Sequence, residues 1–318
     1  MATYIARRLI LALIVLVIIT LMIFLVIRYL PGDPILLYMS RQEQQTLTQD
    51  QIDAARHQFG LDRPIVVQYF SWINGIFHGN FGDSLFYSES VGAILKRRIP
   101  VTLNLGIPAF IIGSILGTAA GVLSAIKRGK ALDSLMAVFS YVGIAVPVFW
   151  LGVLLIYVFG LKANLLPMFG YVSPTTNLAD NIKHLILPVA CLVVTPLASI
   201  SRQSRSSMLE IIRQDYIRTA WAKGLRERNV VMRHALKNGL IPVVTLMGIS
   251  LSYILGGSVF IETVFSIPGM GALSVSALLS KDYAIIQAIT LLIAGMIVIV
   301  NLLVDLTYGW LDPRIRYS

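Results

Sequence analysis

The stretch from Asp215 to Gly224, Asp-Tyr-Ile-Arg-Thr-Ala-Trp-Ala-Lys-Gly, is polar and basic and carries two aromatic rings, Tyr216 and Trp221. Aromatic and arginine side chains contribute much of the binding energy of protein interfaces. Basic residues at a membrane surface also attract anionic lipid headgroups. The residue types therefore predict either a docking surface for another protein or an interfacial helix bound to lipid.

The sequence offers no pattern for catalysis or metal binding. It contains no Gly-x4-Gly-Lys-Ser/Thr loop, so this chain cannot hold ATP phosphates in the P-loop manner. Its one cysteine, Cys191, falls in an apolar run, and no Cys/His cluster has the spacing of a metal site. We therefore expect no catalytic residue, no cofactor and no metal in this chain.

Some polar residues interrupt the apolar runs of the sequence. A carboxylate in a membrane span needs a charged partner or water. We therefore expect Asp305 to be a structural anchor, paired with an arginine such as Arg314 or with another span, with a role in gating or in the substrate path as the alternative. Other polar residues can line a passage or join helices by hydrogen bonds: Asn104, Ser250, Ser252 and Tyr253.

The composition identifies an integral membrane protein. Hydrophobic residues make up 56% of the 318 residues, charged residues only 13%, and the mean hydropathy is +0.77. A helix needs roughly 20 apolar residues to cross the bilayer, and the chain has six suitable runs. Because lipid-exposed backbone must satisfy its own hydrogen bonds, we predict an all-α fold with six transmembrane helices, at 9–29, 101–126, 135–160, 185–201, 240–261 and 285–308.

The positive charges set the predicted orientation. Lysines and arginines cluster before the first run, at 127–130, throughout 202–237 and at the C-terminus, and such clusters face the cytoplasm. We therefore expect both termini inside the cell. The first run lacks a small-residue cleavage site and is expected to stay as a helix. The net charge of +10 is explained by this topology, so we predict no nucleic-acid partner.

Two segments between the predicted spans are long. Residues 31–100 should form an extracytoplasmic cap, in which 66–77 lies along the membrane surface. Residues 202–239 should form a cytoplasmic loop, in which Leu209, Ile212, Tyr216 and Ala220 share one face of an amphipathic helix. Gly224 then permits a sharp change of direction before a second polar helical piece.

The stretch Arg218-Thr-Ala-Trp-Ala-Lys-Gly224 resembles the cytoplasmic signature of bacterial ATP-binding-cassette (ABC) importer permeases, in which Glu-Ala-Ala is followed after three residues by glycine. Arg218 stands in place of the glutamate, and Lys237 in place of a downstream proline. Both departures are similar to the peptide and nickel branch of that superfamily. The resemblance implies that the segment couples to an ATPase through Asp215, Tyr216, Arg218, Thr219, Ala220, Trp221, Lys223 and Gly224.

The resemblance extends along the chain, in order, and is closest to the first permease of dipeptide and oligopeptide importers. The matching stretches are 4–9, Leu30-Pro-Gly-Asp-Pro34, 59–64, Gly79-Asn-Phe-Gly-Asp-Ser84, 234–242, Pro268-Gly-Met-Gly271, 301–305 and 311–317.

This resemblance implies partners: a homologous second permease, two cytosolic ATPase subunits that bind ATP and magnesium, an extracytoplasmic solute-binding protein and membrane lipid. Glu262 would then either hydrogen-bond within the outer loop or contact the binding protein. Residues Tyr216 and Trp221 would pack into a groove of the ATPase.

The sequence thus predicts a non-catalytic permease subunit in the bacterial inner membrane, half of an alternating-access pathway for di- or oligopeptides driven by ATP. Import of nickel chelates or glutathione is the alternative within transport. A membrane receptor or scaffold that recruits a cytosolic partner is the alternative of another class. A self-powered secondary transporter is disfavoured, because the spans carry no charged residue near the midplane.

Overall fold

The computed structural model describes residues 2–29, 53, 54, 57, 62–84 and 86–311. The Leu30–Pro34 motif, most of the first half of the predicted cap, and Arg314 lie outside the described residues. What is described is almost entirely helical, so the predicted all-α class is confirmed. The one sheet among these residues is a short hairpin that pairs Asp83–Ser84 with Glu89–Ser90.

The helices are numbered in chain order. Ahead of the hairpin are α1 and α2, and eleven further helices follow it, two of which continue into or out of π-helical turns: α1 Ala2–Tyr29, α2 Ile65–Phe77, α3 Val91–Ile126, α4 Ala131–Ala145, α5 Val148–Leu155 with the π-helix Ile156–Lys162, α6 Leu178–Ile212, α7 Asp215–Ala222, α8 Glu227–Asn229 with the π-helix Val230–Ala235, α9 Leu236–Gly239, α10 Ile241–Gly257, α11 Val259–Val264, α12 Met270–Ser280 and α13 Tyr283–Leu311.

Among the described residues, five helical segments are long and apolar enough to cross a membrane: α1, α3, α6, α10 with α11, and α13. A sixth crossing exists if α4 and α5 are counted as one span, but these two helices are bent by 102° at their junction. The predicted span at 135–160 therefore contains a sharp bend. Pro147 explains the break, because proline removes a backbone donor and disfavours helical geometry in the residue before it.

Two of the helices are longer than the apolar runs within them. Helix α3 begins at Val91 instead of residue 101, and α6 covers 178–212 instead of 185–201. Hydropathy marks where the surroundings of a helix become apolar, but the helix continues as long as its backbone hydrogen bonds do. The residues Lys96-Arg97-Arg98 are consequently helical, and 202–212 belongs to α6 instead of to a separate loop.

The centre of the bundle is the contact between α3 and α6. Gly113, Gly117 and Gly121 form a stripe along α3, and α6 lies directly on it. A Cβ atom at Gly117 would lie 3.0 Å from the Cβ of Ile200, and one at Gly121 would overlap the carbonyl oxygen of Ser201. The absence of side chains on this stripe therefore sets how closely the two helices approach.

The bundle has two ends, which we name after a residue at each. The Gly224 end carries 127–130 and 213–240, and the Glu262 end carries 163–177 and 265–282.

Helix α1 lies against α13, and towards the Gly224 end Arg8 Nη1 lies 2.9 Å from Asp305 Oδ2. At the Glu262 end, the carboxylate of Asp282 accepts a hydrogen bond of 2.5 Å from the hydroxyl of Ser84, which fixes the hairpin to the start of α13.

Candidate functional site

The coupling segment, residues 213–240, begins with a break in the chain. Helix α6 ends at Ile212, and Gln214 is extended, with φ of −69° and ψ of 148°. The single amphipathic helix predicted to run from Leu209 to Ala220 is therefore wrong, since its two halves lie on different helices. Asp215, which starts α7, sits in the first turn, where an acid favours the positive end of the helix dipole.

Helix α7 buries one face against the bundle. Ile217 is fully buried and Ala220 nearly so, and they pack with residues of α3, α6 and the π-helical turn: Val122, Ala125, Met208, Val230, Val231 and Ala235. Of the residues predicted to share one helical face, Ala220 is buried and Tyr216 is not; Ile217 is buried in its place. Tyr216 is 43% exposed, and its hydroxyl accepts a hydrogen bond of 2.8 Å from the amide of Asn238.

The rest of α7 is exposed. Of the eight residues predicted to make the contact, Ala220 alone is buried. Trp221 is 41% exposed, and Arg218 Nη1 lies 3.5 Å from Asp215 Oδ1, a distance at which an exposed ion pair adds little stability. An indole, an ion pair and the Lys223 ammonium are thus presented together at the Gly224 end.

Gly224 ends α7 in a defined cap. Its φ is +73°, its amide donates to the carbonyl of Trp221 at 2.9 Å, and the amide of Leu225 donates to the carbonyl of Ala220 at 3.4 Å. These two bonds with a left-handed glycine make a Schellman motif. The predicted change of direction at Gly224 is therefore present, and a side chain there would meet no atom within 4 Å.

The second half of the coupling segment returns to the bundle through α8, a π-helical turn and α9. Val230 and Ala235 are buried, and the hydroxyl of Ser207 on α6 donates to the carbonyl of Gly239 at 2.7 Å. The segment is thus attached at both sides of Gly224: by Ile217 before it and by the 230–239 turns after it.

The carboxylate of Asp133, which lies beside this attachment, is fully hydrogen-bonded, and the sequence analysis did not identify it. Asp133 accepts hydrogen bonds from Arg205 Nε at 2.6 Å and Arg205 Nη2 at 2.9 Å, from the hydroxyl of Ser124 at 2.5 Å and from the amide of Gly129 at 3.0 Å. These bonds join α3, α4 and α6 one helical turn from Met208, which contacts the buried face of α7.

An apolar groove of about 1170 Å³ runs beside the coupling segment. It lies between the second half of α3 and the stretch from 226 to 247, and Lys127 and Arg228 are part of its lining at the Gly224 end. Ser114 and Thr118, one turn apart on α3, also belong to its lining, but their hydroxyl oxygens are buried and have no hydrogen-bond partner among the residues described.

The polar residues predicted for a passage have separate surroundings. Asn104 accepts hydrogen bonds from Asn181 at 2.9 Å and from Tyr171 at 3.2 Å, so it joins α3 to α6 and to the preceding loop. The hydroxyl of Ser252 donates to the carbonyl of Gly248 one turn earlier. Ser250 is buried and Tyr253 half-exposed. Asp305 is paired with Arg8 of α1, so the expected anchor uses another span.

Glu262 is fully buried at its end of the bundle. Its carboxylate accepts hydrogen bonds from Thr102 and Ser258 at 2.8 Å each and from the amide of Ala272 at 2.9 Å. The predicted contact with a binding protein is therefore unsuited to this side chain, because its oxygen atoms are already used within the fold. Its role is to join α3, α11 and α12.

Comparison with protein families gives two adjacent matches. Residues 117–317 match the family described as binding-protein-dependent transport system inner membrane component. Residues 1–106 match the N-terminal part of the corresponding transport system membrane component. The two matches together leave only ten internal residues uncovered.

Similar curated proteins align over their full length. The chain is 41% identical to a probable peptide ABC transporter permease of Sinorhizobium fredii, 38% to a dipeptide transport system permease of Escherichia coli and 37% to an oligopeptide transport system permease of Bacillus subtilis. In each case 100% of both chains is covered.

Among solved structures, the MetNI methionine ABC transporter in inward-facing conformations contains a chain with a similar fold. Its TM-score is 0.55 at 18% identity, and the match covers 69% of this chain and 96% of that one.

Proposed function

Because the chain belongs to the family of binding-protein-dependent transport system inner membrane components, we propose that it is the permease subunit of an ATP-driven peptide importer. The observation that carries the proposal is the exposed face of α7, held in place by Ile217 and capped by Gly224, in a chain that aligns end to end with peptide permeases. The subunit itself is non-catalytic and forms half of the transmembrane pathway.

The proposed partner of α7 is a cytosolic ATPase subunit. Trp221 is a large apolar surface next to the charges of Arg218 and Lys223, a combination typical of the centre and rim of an interface. Since Ile217 and Ala220 pack on α3 and α6, movement of the ATPase would be transmitted to two membrane-spanning helices. We infer that ATP and magnesium bind on a pair of such subunits.

The proposed orientation follows from this contact. If α7 meets a cytosolic ATPase, the Gly224 end faces the cytoplasm, together with both termini, and the Glu262 end faces outward, where a solute-binding protein delivers peptide. The positive charges near the Gly224 end support the same orientation.

A homologous second permease would complete the pathway. The groove beside α3 supports this, because its apolar walls offer a second set of helices a concave surface of about 1170 Å³ on which to pack. Alternating access would then be a rigid-body change between two arrangements of the paired subunits.

The test is transport by the reconstituted complex. The chain is purified with its co-assembling subunits and placed in proteoliposomes, and uptake of labelled di- and oligopeptides is measured with and without ATP and the binding protein. We expect uptake that requires both. If only nickel chelates or glutathione were taken up, the substrate assigned to the importer would change from peptides to that compound. The absence of any nucleotide-dependent flux in an assembled complex would contradict the proposal and favour a receptor or scaffold.

A further inference from the structure

Helix α2 has a surface whose surroundings the proposed function does not explain. Its thirteen residues, Ile-Val-Val-Gln-Tyr-Phe-Ser-Trp-Ile-Asn-Gly-Ile-Phe, contain no charged side chain. It follows the first span in the chain, in a region expected to be an extracytoplasmic cap. A cap helix that faces water on its free sides would be expected to carry charges there.

One side of α2 packs on α1. The hydroxyl groups of Tyr69 and Thr20 are 2.9 Å apart, and the ring of Phe24 lies 5.4 Å from that of Tyr69 and 5.9 Å from that of Trp72, centroid to centroid. Phe24 is only 1% exposed as a result. The contact is therefore a packed aromatic cluster that fixes where α2 lies along α1.

The remaining surface of α2 divides into two sides. At 100° per residue, Val66, Phe70 and Phe77 fall within about 40° of one another, and all three are exposed, Phe70 by 64% and Phe77 by 84%. Ser71 and Asn74 fall about 120° and 60° further round and are also exposed, with the exposed Val67 between them. Helix α2 thus has a packed side, a free side that is wholly apolar, and a free side that carries its two exposed polar residues, which we call the polar side.

The position of the aromatic cluster along α1 gives its depth in the bilayer. The apolar segment of α1 runs from Ile5 to Tyr29, about 37 Å at 1.5 Å per residue, so it exceeds a hydrocarbon core of ~30 Å by about 4 Å at each end when centred. Phe24 then lies about 4 Å, and Thr20 about 10 Å, below the hydrocarbon boundary.

Arg28 provides a second marker of depth. Its guanidinium carbon lies 5.2 Å from the centroid of the Phe24 ring. A guanidinium at a helix end extends towards the headgroups, so the Phe24 ring lies close to the boundary between headgroups and hydrocarbon. A helix that contacts Phe24 and reaches Thr20 occupies the same zone as amphipathic helices that bury roughly 5–10 Å.

We propose that α2 is a membrane-embedded interfacial helix whose apolar side, formed by Val66, Phe70 and Phe77, contacts lipid in the leaflet at the Tyr29 end of α1. Its uncharged sequence and its tyrosine and tryptophan are typical of this zone. The polar side, formed by Ser71 and Asn74, faces the headgroups and water. The proposal depends on α1 crossing the membrane and is independent of what the complex transports.

The experiment measures the surroundings of both sides in the assembled complex. In a Cys191→Ala background, single cysteines replace Phe70 and Ser71, which are neighbours in sequence on different sides of α2. Each is labelled with a small fluorophore, and the complex is placed in bilayers. Quenching by phospholipids brominated on the acyl chain is compared with quenching by iodide in the water. A second matched pair, Val66→Cys and Asn74→Cys, repeats the comparison.

We expect the labels at positions 70 and 66 to be quenched more by brominated lipid than by iodide, and the order to reverse at 71 and 74. Stronger quenching by iodide at 70 and 66 would place this side in water and overturn the proposal. Protection from both quenchers at these positions would show that another subunit covers the side, which also overturns it. None of these outcomes depends on transport, so a failed proposal here leaves the proposed function untouched.

Discussion

Arg205 makes two parallel hydrogen bonds to Asp133, Nε to Oδ1 at 2.6 Å and Nη2 to Oδ2 at 2.9 Å, across 72 residues of sequence. The Asp133 side chain is 8% exposed and that of Arg205 34%. Planar two-point contacts of this kind fix orientation as well as distance. The pair therefore holds α4 against α6 at the level where α7 attaches.

Replacing Asp133 by asparagine should lower the stability of the purified complex. The change leaves the Arg205 guanidinium, whose side chain is 34% exposed, without its charge partner, and we expect this to cost about 1 kcal/mol. Thermal unfolding of the complex measures this. Glu89→Gln is the matched control, because the Glu89–Arg97 pair is exposed, is screened by solvent and should contribute much less to stability. Equal losses in the two variants would contradict a structural role specific to Asp133.

Gly224→Val should disrupt the contact of the coupling segment with the ATPase while the subunit still inserts. A β-branched residue at φ of +73° is strained by about 2 kcal/mol, although no atom obstructs its side chain. Gly224→Asn is the control, since asparagine tolerates left-handed geometry. We expect peptide uptake and peptide-stimulated ATPase activity to fall together for valine and to persist for asparagine. Normal peptide uptake by the valine variant would contradict the coupling role and indicate that α7 is an interfacial helix bound to lipid.

Buried and exposed side chains of α7 should respond differently when they are replaced by alanine. Ile217→Ala removes a fully buried side chain and should destabilise the subunit by about 3 kcal/mol. Trp221→Ala, and more mildly Tyr216→Ala, should leave stability almost unchanged but weaken binding of the ATPase by tenfold or more, since interface aromatics contribute about 2 kcal/mol. Thermal unfolding and titration of the ATPase separate these effects. Unaltered ATPase binding by both aromatic variants would argue against the proposed docking face.

Gly121→Ala should disrupt the contact of α3 with α6. The added Cβ would overlap the carbonyl oxygen of Ser201 and lie 2.5 Å from the Cβ of Ser204, so backbone must move, at about 3 kcal/mol. Gly295→Ala is the control, because no atom lies within 4 Å of a Cβ there and alanine favours a helix. We expect the thermal unfolding temperature to fall for Gly121→Ala and to stay unchanged for Gly295→Ala. Equal unfolding temperatures for the two variants would show that α3 and α6 are less closely packed.

The orientation of the chain can be measured by labelling in intact cells. Cysteines at Thr175 and Leu279, both exposed towards the Glu262 end, should react with an impermeant thiol reagent in a Cys191→Ala background. Cysteines at Lys130 and Arg226 should react only after the membrane is opened. The reverse pattern would contradict the proposed orientation and, with it, contact between α7 and a cytosolic ATPase.

The sequence predicts the spans and the glycine cap for physical reasons that are local. Hydropathy measures how favourably a segment transfers into lipid. A glycine such as Gly224 indicates a backbone conformation that few other residues adopt. The break at Pro147 and the stripe Gly113–Gly117–Gly121 also have local signals, a proline within an apolar run and glycines every fourth residue. They were overlooked because length and hydropathy alone were used to define the spans.

Other features have no local signal. The partner of Asp133 is 72 residues away, and that of Glu262 is Thr102, 160 residues earlier. Nothing in a single sequence indicates which polar residues on separate helices will meet. The apolar spacing of Leu209, Ile212, Tyr216 and Ala220 continues across the break after Ile212, so the sequence carries no sign of it, and the fold buries Ile217 while Tyr216 stays exposed.

The closeness of α3 and α6 has a mechanical consequence. Helices this close over the two turns from Gly113 to Gly121 cannot slide or separate easily, so we expect α3 and α6 to move together there. Helix α3 has 36 residues and is about 54 Å long, so a tilt of about 5° about its midpoint displaces its two ends by about 2 Å in opposite directions. Because α7 packs on this pair of helices through Ile217, a displacement of about 2 Å at the Gly224 end would move the far end, beside Glu262, by a similar distance without unfolding any helix.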